Sequence, residues 1–183
     1  MLLDTPNCDF GWKAPDFTLR DPYGTSFTMS DNLGEKGLMI AFICNHCPYV
    51  QAIGDRLAQD ARTLMAEGIN VVAIMSNDYR YVPQDNPENM KLFAKKFDFP
   101  FLYLIDQNQA VGKAYGAVCT PDFFGLNKEG ALQYRGRLDD AARGTPKNRV
   151  PELVNAARMI AETGKGPEGQ TPSIGCSIKW SGS

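Results

Sequence analysis

The chain has 183 residues, of which 43% are hydrophobic and 22% are charged, and its formal net charge is -2 at pH 7. This length and composition are typical of one globular domain with a sizeable core. The charges form no run that would favour nucleic acid or a membrane surface, and the longest apolar run is far too short to span a bilayer. The first residues lack the basic start and the long apolar stretch of a signal peptide. We therefore expect a cytoplasmic protein whose five cysteines are kept as thiols for chemistry.

Hydrophobic periodicity and turn residues predict alternating strands and helices along the chain. In order, the predicted elements are an extended lead-in over 1–16, a hairpin over 17–29, a buried strand over 38–43, a helix over about 48–67, a strand over 69–75, a helix over 86–97, a strand over 101–105, a short helix over 109–115, a hairpin over 122–135 and a helix over 148–163. This pattern indicates an α/β protein with a central mixed sheet and helices on both faces. The predicted domain covers residues 1–163. An irregular tail, 164–183, is expected to pack on it because Trp180 is too apolar to be left in water.

Two cysteines, Cys44 and Cys47, follow the buried strand at 38–43. Pro48 opens the next helix, so both sulfurs are expected at a helix N-terminus. There the free backbone N–H groups and the macrodipole favour a thiolate, which is the attacking form in thiol–disulfide exchange. Tetrahedral zinc would need two more ligands, but His46 is the single histidine and the other cysteines are isolated in sequence. The pattern therefore predicts a redox pair that needs neither a metal nor another cofactor.

The sequence leaves open which cysteine attacks. Pro48 is favoured at the first helical position, which makes Cys47 the N-cap and places Cys44 in the turn before it. We nevertheless expect Cys44 to attack, because the first cysteine of such a pair is usually the more exposed one. His46, between the cysteines, is expected to stabilise the thiolate and to make the pair more oxidising. A solvent-facing histidine without effect is the alternative.

Three short motifs, in this order and spacing, carry a resemblance to a known family. Residues 14–19 read A-P-D-F-T-L, residues 44–47 read C-N-H-C, and Thr120 precedes Pro121 at the start of a predicted strand. These motifs resemble the redoxin branch of the thioredoxin fold, the AhpC/TSA-like and peroxiredoxin-like proteins, over about residues 12–163. The resemblance implies a thioredoxin-like fold and a cis Thr120–Pro121 bond that faces both sulfurs. It also implies exchange with protein or small-molecule thiols and disulfides.

The departures from the family leave two alternatives open. Peroxiredoxins resemble P-x-x-x-T-x-x-C at the peroxide-attacking cysteine. Here Cys47 falls on that cysteine, Cys44 falls on the threonine, and the supporting arginine is absent from 118–123. The first alternative is therefore a slow thiol peroxidase, in which Cys47 attacks peroxide and Cys44 or Cys176 resolves the sulfenic acid. The second is a Sco-like copper-binding protein, because soft thiolates suit Cu(I).

Cys176, in the tail, is a third candidate thiol. A plain buried cysteine is the simpler interpretation. A resolving role would require its Cα to lie within about 7 Å of the Cα of Cys44 or Cys47. No pattern in the sequence assigns an oligomeric state.

Overall fold

The computed structural model describes residues 1–5 and 8–182. Within them the strands are Leu2–Asp4 (β1), Thr18–Arg20 (β2), Ser26–Thr28 (β3), Leu38–Phe42 (β4), Asn70–Met75 (β5), Tyr103–Ile105 (β6), Cys119–Thr120 (β7), Asp122–Leu126 (β8), Leu132–Gly136 (β9) and Ile174–Ser177 (β10). The α-helices are Pro48–Ala66 (α1), Pro87–Phe97 (α2), Ala110–Ala114 (α3) and Glu152–Thr163 (α4). None of the described helices is both long and apolar enough to cross a membrane.

The main sheet has seven strands in the order β3-β2-β6-β5-β4-β8-β9. Strand β4 pairs in parallel with β5 and antiparallel with β8, so the sheet is mixed, as predicted. All five residues of β4 are buried, which explains why this strand reads as a continuous apolar run. The position of β4 inside the sheet fixes the point from which the cysteine pair emerges.

Two apolar clusters cover the two faces of this sheet. Side chains along a strand alternate between the faces. In β4, Met39 and Ala41 belong to a cluster with helices α1, α2 and α4. Leu38, Ile40 and Phe42 belong to the other cluster, which includes residues of α3 and of the β2–β3 hairpin. The prediction of an α/β protein with helices on both faces is therefore confirmed.

The two ends of the described chain depart from the prediction because they pair with each other. The lead-in contains β1 and the tail contains β10, and together with β7 they form a three-stranded sheet in the order β1-β10-β7. Leu2 lies opposite Cys176 in this sheet. Periodicity within a short window does not reveal such a pairing, because the two strands come from opposite ends of the sequence.

The end of the tail packs on the main sheet. Ile178 is buried, and Trp180 packs, partly buried, against the cluster on the α3 side. The Ile178 backbone N–H donates to the Val118 carbonyl oxygen at 3.0 Å. Of the predicted lead-in and tail, residues 6, 7 and 183 lie outside the described residues.

The last helix begins at Glu152 and not at Asn148, where the prediction placed its start. Asn148 has a φ of 61°, in the left-handed region. Pro151 disfavours a helical conformation for the residue before it, Val150. The helix therefore starts only after Pro151.

Candidate dithiol site

Cys44 and Cys47 lie between the end of β4 and the start of α1, as predicted. Cys47 is the N-cap of α1 with an extended backbone (φ -70°, ψ 122°), and Pro48 occupies the first helical position. Both cysteines are 0% exposed. The expectation that Cys44 is the more exposed of the two is therefore wrong, because the Thr120 loop and β10 pack over the turn.

The loop between β7 and β8 brings Thr120 against both sulfurs. The Thr120–Pro121 bond is cis, as predicted. The Cys44 sulfur lies 3.3 Å from Thr120 Oγ1, and the Cys47 sulfur lies 3.3 Å from the Thr120 carbonyl oxygen. Thr120, the last residue of β7, therefore contacts both cysteines of the β4–α1 turn at once.

Cys176 joins this cluster from the tail. In the β10–β7 pair it lies directly opposite Thr120, and its backbone N–H and its thiol both interact with the Cys47 sulfur. Unlike Cys44 and Cys47, it is partly exposed. Burial raises the pKa of Cys176, and its hydrogen bond with Cys47 adds to this effect. The fold thus brings three thiols together, with Cys47 in contact with the other two.

The Cys44–Cys47 pair is polarised, with the thiolate favoured at Cys47. The hydrogen bond with Cys47 raises the pKa of Cys44 well above its ordinary value, and burial adds to this rise. The same bond, donated by Cys44, lowers the pKa of Cys47. Burial opposes that lowering, while the backbone N–H groups of Cys176 and Val50 support it. The Thr120 carbonyl oxygen can accept a hydrogen bond only from the thiol form of Cys47, so this contact favours the thiol. The hydrogen-bond donors to the sulfur have the larger effect, and the pKa of Cys47 is lowered overall.

His46 is held by a buried carboxylate, Asp85, that the sequence analysis missed. Asp85 is 0% exposed and ends a short 3₁₀ turn, Pro83–Asp85, between β5 and α2. Its Oδ2 lies 2.6 Å from His46 Nδ1, and its Oδ1 accepts from the backbone N–H groups of Asn45 (2.7 Å) and His46 (3.2 Å). Burial acts to raise the pKa of Asp85, but hydrogen bonds from His46 and Asn77 hold it below its ordinary value.

The order of the elements along the chain could have indicated that a polar side chain such as Asp85 lies near the cysteine turn. Asp85 lies in the stretch between the predicted strand over 69–75 and the predicted helix over 86–97. This stretch follows β5, and β4 and β5 are parallel neighbours. Because the carboxyl ends of parallel strands meet at the same edge of a sheet, a polar side chain from this loop can reach the cysteine turn. Periodicity does not distinguish which of the polar residues in the loop turns inward.

Cys44, His46 and Asp85 are the described residues that come nearest to a metal-binding arrangement. One potential ligand atom from each lies within 4.8 Å of the others. However, His46 Nδ1 and Asp85 Oδ2 already satisfy each other by a hydrogen bond. This bond uses one nitrogen of His46 and leaves Nε2 free, so the copper alternative stays a prediction.

A mostly apolar cavity of about 230 Å³ adjoins the loop that carries the cis proline. Its walls include Tyr49 and Ile53 from the first turns of α1, Pro121 from the loop, and Ile174 from β10. Helix α1, the proline loop and the tail therefore border a common space.

Comparisons with known proteins agree with this architecture. Residues 10–135 match the AhpC/TSA family. A solved structure of an uncharacterized conserved protein from Geobacillus kaustophilus is 40% identical and has a TM-score of 0.91, covering 100% of this chain and 98% of that chain. A solved structure of a secreted disulfide oxidoreductase from Mycobacterium tuberculosis is 22% identical and has a TM-score of 0.55, covering 64% of this chain and 80% of that chain. At this identity it shows the thioredoxin-like fold alone.

The curated relatives include a peroxiredoxin and a thiol-disulfide oxidoreductase. Peroxiredoxin Q from Populus jackii is 26% identical over 132 residues, 67% of this chain and 57% of the relative. The thiol-disulfide oxidoreductase ResA from Geobacillus thermodenitrificans is 25% identical over 123 residues, 67% of this chain and 66% of the relative. The matches thus cover less than two thirds of the length of each relative. Since the family match itself extends over more than half of this chain, the chain belongs to the AhpC/TSA family of thioredoxin-like redox proteins.

Proposed function

We propose that the chain is a thiol–disulfide oxidoreductase in which Cys47 attacks and Cys44 resolves. The polarised pair carries this proposal: Cys47 is the N-cap residue of α1 and its pKa is lowered, whereas the pKa of Cys44 is raised. The order is the reverse of the one expected from the sequence, because hydrogen bonding distinguishes the two cysteines and exposure does not. A thiolate of low pKa is well populated at neutral pH and is also the better leaving group.

The proposed reaction needs only the two sulfurs and a substrate disulfide, R–S–S–R′. The Cys47 thiolate attacks one substrate sulfur, so that a Cys47–S–S–R bond forms and R′–S⁻ leaves. Cys44 then loses its proton and attacks the Cys47 sulfur, so that the Cys44–Cys47 disulfide forms and R–S⁻ leaves. Two electrons pass to the substrate, and glutathione or a dithiol protein returns them by the reverse path.

Access to the sulfurs requires part of their cover to move. Both cysteines of the pair are buried, and β10 lies over Cys47 through the Cys176–Thr120 register. Strand β10 has only four residues and pairs with the two-residue strand β7. It is therefore the part of the cover that a substrate displaces most easily.

Cys176 enters the proposal as a second resolving thiol. Its contact with Cys47 allows it to attack a Cys47 mixed disulfide in place of Cys44. We expect Cys44–Cys47 to be the main oxidised form, because Cys44 lies in the same turn as Cys47, whereas a substrate that displaces β10 carries Cys176 away from that turn.

Trapping with single-cysteine variants tests this order of attack. Incubated with a model protein disulfide in a Cys176→Ser background, Cys44→Ser should accumulate a mixed disulfide at Cys47, whereas Cys47→Ser should form none. Cys119→Ser is the matched control, because Cys119 is equally buried, and it should cycle like the wild type. A mixed disulfide in Cys47→Ser, with none in Cys44→Ser, would reverse the assignment. Peptide mapping of oxidised Cys44→Ser with Cys176 intact should recover Cys47–Cys176 if Cys176 resolves.

A thiol peroxidase is the second candidate, favoured by the ionised state of Cys47. This cysteine aligns with the peroxide-attacking position, and the curated relatives include peroxiredoxin Q. We expect slow peroxide turnover, because Cys44 replaces the threonine of that site. Consumption of hydrogen peroxide and reduction of a protein disulfide should be measured with one electron donor. Fast, saturable peroxide consumption would place the peroxidase first.

A further inference from the structure

The loop between the two cysteines is clamped by polar contacts from other parts of the chain. Asn45 donates its backbone N–H to Asp85 Oδ1 at 2.7 Å and its side-chain amide to the Gln84 carbonyl oxygen at 2.9 Å. The Asn45 amide oxygen accepts from the hydroxyl of buried Tyr103 at 2.9 Å. The His46 backbone N–H also donates to Asp85. One carboxylate therefore fixes both residues that separate the sulfurs.

The same carboxylate sets the orientation of the His46 ring. An ionised carboxylate accepts hydrogen bonds and donates none, so Nδ1 of His46 carries the proton in its 2.6 Å bond to Asp85 Oδ2. The Asn77 side chain donates to the same oxygen at 2.8 Å and holds the carboxylate in place. In the neutral ring, Nε2 is then the nitrogen with the free lone pair. The His46 side chain is 26% exposed, so a proton taken up there can pass on to solvent.

The chemistry of the resolving step needs a base at this place. Cys44 is a buried thiol that has to lose its proton before its sulfur can attack the Cys47 mixed disulfide. Potential ligand atoms of Cys44 and His46, the sulfur and a ring nitrogen, lie within 4.8 Å of each other. A single bridging water covers such a distance while His46 keeps its hydrogen bond to Asp85.

We propose that His46 accepts the proton of Cys44 in the resolving step and that Asp85 is the positioning residue for His46. This inference rests on the proposed oxidoreductase function. As the Cys44–Cys47 bond forms and R–S⁻ leaves, the Cys44 proton moves to His46 Nε2, and the imidazolium then returns it to R–S⁻ or to solvent. The Asp85 carboxylate stabilises the imidazolium. The other ionisable groups around Cys44 are Cys47 and Tyr103.

The charge of Asp85 also explains why the base is needed. It opposes ionisation of Cys44 and so adds to the raised pKa of this thiol. The resting site therefore keeps the second thiol protonated. In the proposed step Cys44 gives its proton to His46, because Asp85 stabilises the protonated ring.

The test separates attack from resolution in a rapid-quench experiment with glutathione disulfide. In Asp85→Asn, the amide can donate to His46 Nδ1 and so shift the proton to Nε2, which removes the free lone pair. We expect the Cys47–glutathione mixed disulfide to form within about threefold of the wild-type rate, but to decay to Cys44–Cys47 at least about 100-fold more slowly.

Asp106→Asn is the matched control. Asp106 is also 0% exposed and accepts hydrogen bonds from Ser76 and from the backbone N–H groups of Val111 and Gly112 at the start of α3, instead of the cysteine turn. It should change neither rate by more than threefold. Equal slowing of the decay in Asp85→Asn and Asp106→Asn, or decay at the wild-type rate in Asp85→Asn, would overturn the proposal.

His46→Asn keeps the test decisive if Asp85→Asn fails to fold. The asparagine amide can still donate to Asp85, but it offers no basic nitrogen. We expect the same slow decay, with a rate that keeps rising with pH into the alkaline range, because Cys44 then ionises directly to solvent. Wild-type decay at His46→Asn would refute the base. If the wild type formed neither the mixed disulfide nor Cys44–Cys47, the proposed function itself would fail, whereas a defect confined to decay in the variants leaves it intact.

Discussion

Cys44, Cys47 and Cys119 are all buried, yet their surroundings give them different chemistry. Burial raises the pKa of Cys119 to about 12, with the charge of Asp122 adding to it, so this thiol stays protonated in the core. At Cys47 the hydrogen bond from Cys44 and the backbone N–H groups of Cys176 and Val50 reverse the effect of burial. At the scale of single residues, the number of donors near a sulfur therefore decides its ionisation more than exposure does.

The first prediction follows from the order of these effects. Cys44→Ala removes the largest contribution to the lowered pKa of Cys47. The pKa of Cys47 should rise by an amount equivalent to about 1.5–3 kcal/mol, the free energy of a hydrogen bond to a charged group. The ultraviolet absorbance of the thiolate, followed against pH, measures this change. Cys119→Ala should leave the titration unchanged, and an unchanged titration in Cys44→Ala would show that another group stabilises the thiolate.

Among the elements, β10 links the tail to the reaction. Gly175 allows this strand to approach β7 closely, because a Cβ at this position would lie 1.8 Å from the Thr120 carbonyl oxygen. The buried Ser173 hydroxyl donates to the Pro121 carbonyl oxygen and fixes the chain just before the strand. The strand therefore holds Cys176 against Cys47 by backbone contacts at both ends of the proline loop.

Gly175→Ala should separate β10 from β7, because the clash is with backbone that cannot rotate away. We expect a loss of about 1–3 kcal/mol in the free energy of unfolding and faster reaction of Cys47 with a bulky disulfide reagent. Urea denaturation and the rate of labelling measure these effects. Gly169→Ala, in the same tail with no atom within 4 Å of its Cβ, is the control. Equal labelling rates in Gly175→Ala and the wild type would mean that β10 is not the cover.

At the scale of the whole molecule, sequence distance determines what could be predicted. The start of α1, with Cys47 at the N-cap and Pro48 at the first helical position, is encoded within a few residues. The cis bond at Pro121 was implied by the resemblance to the redoxin family. Asp85 and the β1–β10 pairing depend on segments that meet only after the sheet has formed. The sequence around Asp85 has the pattern of a polar loop, and the sequences of β1 and β10 have the pattern of irregular ends. Periodicity alone therefore could not predict the position of Asp85 or the β1–β10 pairing.

The redox state should also change the stability of the entire fold, in a way that depends on pH. The pKa of Cys47 is lower in the folded, reduced protein than in the unfolded chain, where a cysteine titrates near about 8.5. Between these two values the unfolded state binds more protons, so this group makes the reduced protein more stable as the pH rises, by at most about 1.4 kcal/mol per pH unit. The contribution is lost as the pH falls through the folded pKa.

The oxidised protein lacks this dependence, because neither Cys44 nor Cys47 titrates in a disulfide. The disulfide also changes the free energy of unfolding by cross-linking the unfolded chain, but this change does not vary with pH. We therefore expect the free energy of unfolding of the reduced protein, minus that of the oxidised protein, to increase between pH 5 and pH 8. Urea denaturation at several pH values, with and without reductant, measures this difference. Reduced Cys47→Ser should lose the increase, and a wild-type difference that stays constant over this range would show that Cys47 is not a stabilised thiolate.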